Sequence, residues 1–231
     1  MTTSRSRALA ALALAAGLTL AGCGGQDDTA EQPPEEVLAA AKANLDETSG
    51  VHIVLSTDKL PPGVSGILQA DGIGTHAPAF EGTLKVVASG ITADAEVVAV
   101  GDAVYAKLPF TTDFTRIDPA DYGAPDPADL MSPEGGLSSL LTAVEDVEEG
   151  SPVRDGDQVL TEYSGTVPGD VVAGIIPTAS ADSDFDATFT ITDENLLDEA
   201  VLTGPFYPGA DDVTYTIAFD EYGTEQEITA P

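Results

Sequence analysis

A strict two-residue alternation in the C-terminal third constrains the fold more than any other feature of the chain. Phe185, Ala187, Phe189 and Ile191 alternate with Asp186, Thr188, Thr190 and Thr192, and Val213, Tyr215, Ile217 and Phe219 alternate with Thr214, Thr216 and Asp220. Successive side chains of a strand point to opposite faces, so both runs need a sheet with one dry and one wet face. Something must cover the dry face. Asp193-Glu194-Asn195 turns the chain toward another strand at Ala200 to Thr203, and a last strand carries Ile228.

Strand signals also fill the first half. Val51, Ile53 and Leu55 alternate with His52 and Ser56, and a second segment runs from Gly66 to Thr75. Phe80 to Leu108 reads as three strands parted by Ser89-Gly90 and Gly101-Asp102, both good tight-turn pairs. The middle strand sets Ile91, Ala93, Ala95, Val97 and Ala99 against Thr92, Asp94 and Glu96. A face made mostly of alanine leaves space above it, to be filled by a helix or by a ligand.

Three helices are expected to supply cover. Pro34 opens the first, with Glu35 and Glu36 in its first turn and Val37, Leu38, Ala41 and Leu45 on one face. Gly136 to Val147 reads as an amphipathic helix carrying Leu137, Leu140, Leu141 and Val144. A short third one carries Val171, Val172, Ile175 and Ile176 and ends at Pro177. Between the first two helices, four prolines make Asp118 to Pro133 an extended or turn-rich connection. About ten strands with hairpin spacing, plus these helices, make a single antiparallel α+β domain.

The N-terminus says where such a domain works. Arg5 and Arg7 precede an apolar run from Ala8 to Leu20, which is of signal-peptide length and too short to span a bilayer. Leu20-Ala21-Gly22-Cys23 then matches the bacterial lipobox, with cleavage before Cys23 and acylation of its thiol. An ordinary secretory signal that merely abuts the chain's only cysteine would leave that cysteine unexplained. Residues 1–22 are therefore read as a lipoprotein signal peptide, 23–34 as a flexible linker and 35–231 as the domain. The mature protein is expected outside the cytoplasm, on the outer leaflet of the cell membrane and held there at Cys23. With one cysteine there are no internal disulfides, so stability must come from an apolar core.

Charge narrows the partners. The chain has 40 acidic and 8 basic residues, a net charge of −32. Such a field repels phosphate backbones and anionic headgroups, so nucleic acid is excluded and the membrane is reached through the lipid anchor alone. A hydrophobic content of 42% with regular alternation argues against disorder and makes the acidity a solvated exterior.

Catalytic and metal signatures are weak. His52 sits on the wet face of a strand and His76 in a loop, and Ser65 in Gly63-Val64-Ser65-Gly66 lacks the spacing of a nucleophile elbow. Asp182-Ser183-Asp184-Phe185-Asp186 has calcium-loop spacing, with Asp193 at the twelfth position. However, Ala187 stands where the loop needs glycine and the twelfth residue is not glutamate. Those residues read better as a turn entering a strand. Neither an enzyme, a metal site nor a cofactor is called for.

The layout resembles the LppX–LprAFG lipoproteins of mycobacteria and related actinobacteria across essentially the whole mature chain. The likeness rests on the lipobox at Cys23, on Thr48-Ser49-Gly50-Val51 after the first helix, and on Gly101-Asp102 before Val104-Tyr105. It also rests on Asp118-Pro119 with Asp126-Pro127 and Gly136-Leu137, and on Tyr215-Thr216-Ile217 through Tyr222-Gly223 to Ile228-Thr229-Ala230-Pro231. The resemblance implies a strongly bent antiparallel half-barrel with helices on its concave side around a large apolar cavity for the acyl chains of a lipid or glycolipid. It implies a carrier or presenter of envelope lipids, for which an envelope lipid transporter is the natural partner class. Ile91, Ala93, Ala95, Val97, Ala99, Leu137, Leu140, Leu141, Val144, Val171, Val172 and Ile175 would line that cavity. The residues alone do not separate a cavity from a filled core with the same lining. A filled core would suit a surface lipoprotein that binds another protein.

Overall fold

The computed structural model describes residues 32–109 and 111–231; the signal peptide, Cys23 and most of the expected linker lie outside the described residues. Pro34 occupies the first turn of α1 (Pro34–Glu47), where its missing N–H costs nothing, and Glu35 and Glu36 lie at the positive end of the helix. Val37, Leu38, Ala41 and Leu45 are its buried face, at helical spacing.

Six strands follow as a meander: β1 (Gly50–Ser56), β2 (Gly66–Thr75), β3 (Ala79–Ala88), β4 (Ile91–Val100), β5 (Ala103–Lys107) and β6 (Thr115–Ile117). The β3–β4 hairpin turns through Ser89 and Gly90, both at positive φ, as a two-residue turn matched to strand twist requires. Short 3₁₀ turns at Pro119–Tyr122, Asp129–Met131 and Leu137–Ser139 lead to α2 (Leu140–Ala143). The chain continues through β7 (Glu145–Glu149), β8 (Val153–Asp155), β9 (Gln158–Val167), α3 (Gly169–Ile175), β10 (Phe185–Thr192), β11 (Leu197–Gly204) and β12 (Val213–Asp220).

All twelve strands belong to one open antiparallel sheet ordered β6-β5-β4-β3-β2-β1-β12-β11-β10-β9-β7, with β8 on the free part of the β9 edge. The first and last strands are neighbours, so the β1–β12 ladder joins two meanders. Ile53 pairs with Phe219 across it and Leu55 with Ile217. The inner face of β1 and β9–β12 and the three helices share one apolar cluster. Phe185, Phe189 and Phe206 are fully buried in it, and each contributes on the order of 1.5–3 kcal/mol by leaving water. Phe206 packs edge-on against Phe185 and Tyr215, with ring centroids 4.9 and 5.0 Å apart. This is the expected α+β half-barrel with helices on one face.

The β2–β3 ladder has one tight point. Gly72 and Gly82 face each other in register. A Cβ on Gly82 would lie 2.4 Å from the Asp71 carbonyl oxygen, 2.7 Å from the Gly72 Cα and 2.9 Å from the Phe80 ring. The aromatic ring takes the room that two side chains would have used.

Three expectations need correction. The amphipathic pattern from Gly136 to Val147 is not one helix: a 3₁₀ turn and α2 end at Ala143, Val144 is extended, and Val147 lies in β7. Glu145, Asp146, Glu148 and Glu149 would have stood at the negative end of such a helix, while the β9 edge offers Glu145, Glu148 and Glu149 backbone partners. Ile228 is in no strand, because β12 already pairs with β1 on one side and β11 on the other. Among the described residues the strand count is twelve rather than about ten, the short β6 and β8 and the acidic β7 having no alternation to announce them.

Candidate functional site

The residues expected to line one cavity fall into separate places. Leu137, Leu140, Leu141, Val172 and Ile175 are buried in the main cluster with α1 and the inner face of the C-terminal strands, and Val144 and Val171 are half-buried against it. Val97 and Ala99 belong to a second apolar cluster with Phe80, Val104, Ala106 and Ala128, bordered by Leu84 and Ile117. Ala95 is buried on the same face of β4 and Ala93 half-buried. Ile91, at the hairpin, is 69% exposed. Its strand extends past the region that other elements cover.

The second cluster is built from small side chains. β4 and β5 pair Val97 with Ala106 and Ala99 with Val104, and β6 adds Ile117 opposite Val104. The Pro-rich connection closes over this face and brings Ala128, which is 1% exposed. Two aspartates shape that connection. Asp118 Oδ1 accepts the Ala120 N–H at 3.0 Å and Asp126 Oδ1 accepts the Ala128 N–H at 2.9 Å, each restraining the residues after it in a turn.

Between β5–β6 and the connection opens a cleft of about 610 Å³. Asp102, Val104, Arg116 and Ile117 line it from the strand side, Asp118 to Ala120 and Ala124 to Asp126 from the connection, and Pro177 after α3 also lines it. Val104 and Ile117 line the cleft and also pack in or against the second cluster, so the cleft gives directly onto apolar surface. Its volume is of the size that takes a small-molecule ligand, about 300–1,000 Å³. No periodicity marks it in the sequence. The one available signal was the repeated Asp-Pro at Asp118-Pro119 and Asp126-Pro127.

The rim of the cleft is acidic. Arg116 is its one cation among the described residues, and its Nη2 donates to the Asp102 carbonyl at 3.1 Å. Burial raises the Asp126 carboxyl above the usual carboxylate range; the Ala128 N–H opposes the rise, and the nearby Asp129 and Asp102 charges add to it.

The histidines do other things. His52 Nδ1 and Nε2 reach Asp220 and Asp71 on the wet face, and His76 Nε2 donates to the Leu45 carbonyl at 2.8 Å. Among the described residues no group of three or more His, Cys, Asp or Glu is arranged to hold a metal ion, and Phe185 of the calcium-like run begins β10. No helix among the described residues is long and apolar enough to cross a membrane.

A family model described as LppX_LprAFG lipoprotein matches residues 33–228. The lipoarabinomannan carrier protein LprG of Mycobacterium tuberculosis is 28% identical over 241 residues, covering 98% of this chain and 95% of LprG. Among solved structures, LprF from Mycobacterium bovis superposes with a TM-score of 0.69 at 18% identity, covering 86% of this chain and 96% of LprF. Mycobacterium tuberculosis lipoprotein LppX gives 0.62 at 16%, covering 85% and 98%. These two likenesses establish the fold.

Proposed function

Since the chain belongs to the LppX_LprAFG lipoprotein family, we propose that it is a lipid carrier of the cell envelope, exported and anchored at Cys23 in the outer leaflet. Its cargo is a lipid or glycolipid whose acyl chain enters between β4–β6 and the Pro-rich connection. The observation that supports this most is the cleft of about 610 Å³ leading onto a small-residue apolar cluster separate from the main core. The name of the relative LprG, a lipoarabinomannan carrier, points the same way.

The mechanism is non-covalent shielding. At about 25 cal/mol per Å² of apolar surface, withdrawing one long acyl chain from water gains several kcal/mol, selected by length and volume. Val97 and Ala99, with Ala95 and Ala93 further along β4, form the floor of the path. Leu137, Leu140, Leu141, Val172 and Ile175 are the packed wall that keeps the half-barrel rigid beside it. No bond is made or broken, so the protein is a carrier and not an enzyme. An envelope lipid transporter is the partner class that would hand over or receive the cargo.

A second reading, a protein-interaction lipoprotein without cargo, is favoured by the burial of those five residues in a filled core. The two separate cleanly. The mature chain from residue 23, produced with Cys23→Ser and without the apolar signal run, purified and extracted with organic solvent, yields near-stoichiometric lipid by mass spectrometry if it is a carrier. An extract with no lipid, together with no uptake from vesicles, leaves the interaction reading.

A further inference from the structure

We propose that one end of the sheet is a membrane-docking surface: the β1–β2 loop, the β3–β4 hairpin and the end of β5 rest on the lipid surface of the leaflet that holds the anchor. The inference rests on the anchored-lipoprotein reading and is independent of any cargo. The β4–β5 register stops at Glu96–Lys107, so the hairpin runs on for about 17 Å past the last pair. Ile91 at its tip is 69% exposed, and Leu108, just after β5, is 53% exposed. Ser65 Oγ accepts the Ser89 N–H at 3.3 Å and holds the β1–β2 loop against the hairpin. Among the described residues four large apolar side chains are exposed, and two of them stand here.

Charge sets this end apart. It is built from residues 56–66, 85–94 and 105–115, and each stretch holds one lysine and one aspartate: Lys59 with Asp58, Lys85 with Asp94, and Lys107 with Asp113. They sum to zero in a chain whose net charge is −32. The adjoining Glu96 is held by Lys107 at 2.9 Å. An acidic exterior repels an anionic leaflet, whereas this end does not, and lysine stems can lie on apolar surface with their ammonium groups among the headgroups. The β11–β12 turn, on the strand next to β1, carries Asp211 and Asp212, which confines the contact to the β1–β5 side. Ten residues lie between Cys23 and Pro34, a reach of at most about 40 Å. An anchored domain is therefore kept within touching distance of the bilayer, and exposed apolar side chains that meet that surface leave water by entering it. The contact is apolar and adds to the anchor.

The chain has no tryptophan and a single cysteine, which makes the test clean. The mature chain, residues 23–231, is linked through the Cys23 thiol by a disulfide to a pyridyldithio phospholipid in vesicles of phosphatidylcholine and phosphatidylglycerol. Ile91→Trp and Leu108→Trp each place one indole on the proposed surface. Tyr122→Trp and Val153→Trp replace the two other exposed large apolar residues and serve as controls. Acyl chains brominated about 5–10 Å below the headgroups should remove at least about half of the emission of the first two indoles and leave the controls unchanged. Lys59→Glu/Lys85→Glu, added to Ile91→Trp, turns this end acidic and should abolish most of that quenching. Reductant then frees the protein, which is separated from the vesicles. Quenching by docking ends at that step, whereas quenching by carried lipid stays with the protein, so docking and cargo are read apart. Quenching that is equal in the four variants, absent from all, untouched by the lysine change or retained after release overturns the docking surface. A blue-shifted but unquenched Ile91→Trp in a chain that sediments as a dimer assigns the surface to a second copy and overturns it as well.

Discussion

His52 Nδ1 lies 2.6 Å from Asp220 Oδ1 across the β1–β12 ladder that joins the two meanders. Its Nε2 lies 3.1 Å from Asp71 Oδ1 on β2, so one imidazole ties three strands on the wet face. The Asp71 hydrogen bond raises the His52 pKa above its ordinary value, burial opposes the rise, and Asp220 adds to it. Because the folded pKa exceeds the unfolded one, this contribution is fully present below about 6.5 and disappears as pH rises through the folded value. With both carboxylates more than half exposed, it should amount to less than about 1 kcal/mol. Urea melts of the wild type and His52→Gln should differ more at acidic than at alkaline pH. An equal difference at both would refute the charged clamp.

Tyr215 ties the core to the sheet beyond the end of β1. Its hydroxyl donates to the Ile67 carbonyl at 2.9 Å and accepts from Tyr207 at 2.7 Å, and burial pushes the Tyr215 pKa far above its ordinary value. Tyr215→Phe keeps the ring against Phe206 but strands two polar partners, at a cost of about 1–3 kcal/mol. Tyr207→Phe, which leaves the Tyr215–Ile67 bond in place, should cost less. Chemical denaturation of both variants orders them, and the reverse order would show that the Ile67 bond is not the stronger tie.

Gly82 faces Gly72 with the Phe80 ring against both. Gly82→Ala would place a methyl against backbone atoms that cannot yield without disturbing the β2–β3 ladder. The loss should be about 1–3 kcal/mol, as for overpacked sites, and Phe80→Leu in the same chain should recover part of it. A melting temperature unchanged by Gly82→Ala would mean that the two strands separate there without penalty.

The elements legible in the sequence were those with apolar and polar residues in alternation or with tight-turn pairs at their ends. β10, β12, and the β3–β4–β5 run could be read from Phe185 to Thr192, Val213 to Asp220 and Phe80 to Leu108. β7 could not: Glu145-Asp146-Val147-Glu148-Glu149 has one apolar residue, and only the β9 edge makes it a strand. Leu137, Leu140, Leu141 and Val144 have helical spacing whether the helix runs on or turns at Val144, so spacing could not locate its end. Ile91 continues the alternation of β4 beyond the point where anything covers it, since the pattern records the pleat and not the reach of the cover. The cleft was illegible for a different reason. Arg116, Asp126 and Pro177 meet only because β5 and β6 pair and the Pro-rich connection folds back.

Lipid that enters by this cleft must pass Ile117. It is half-buried on an edge strand, lines the cleft and packs against the second cluster. Ile117→Trp should plug the passage at a stability cost no larger than the roughly 1–3 kcal/mol of overpacking, which leaves the chain folded. Val153→Trp, on exposed β8 at the other end of the sheet, is its match in bulk. The measurement is saturable binding of a diacylglycerol with one pyrene-labelled chain to the mature chain, residues 23–231, carrying Cys23→Ser. One site is expected in the parent and in Val153→Trp, with binding weakened at least about tenfold in a folded Ile117→Trp. Binding by Ile117→Trp as tight as the parent's, or no binding by the parent, would contradict lipid entry by this cleft.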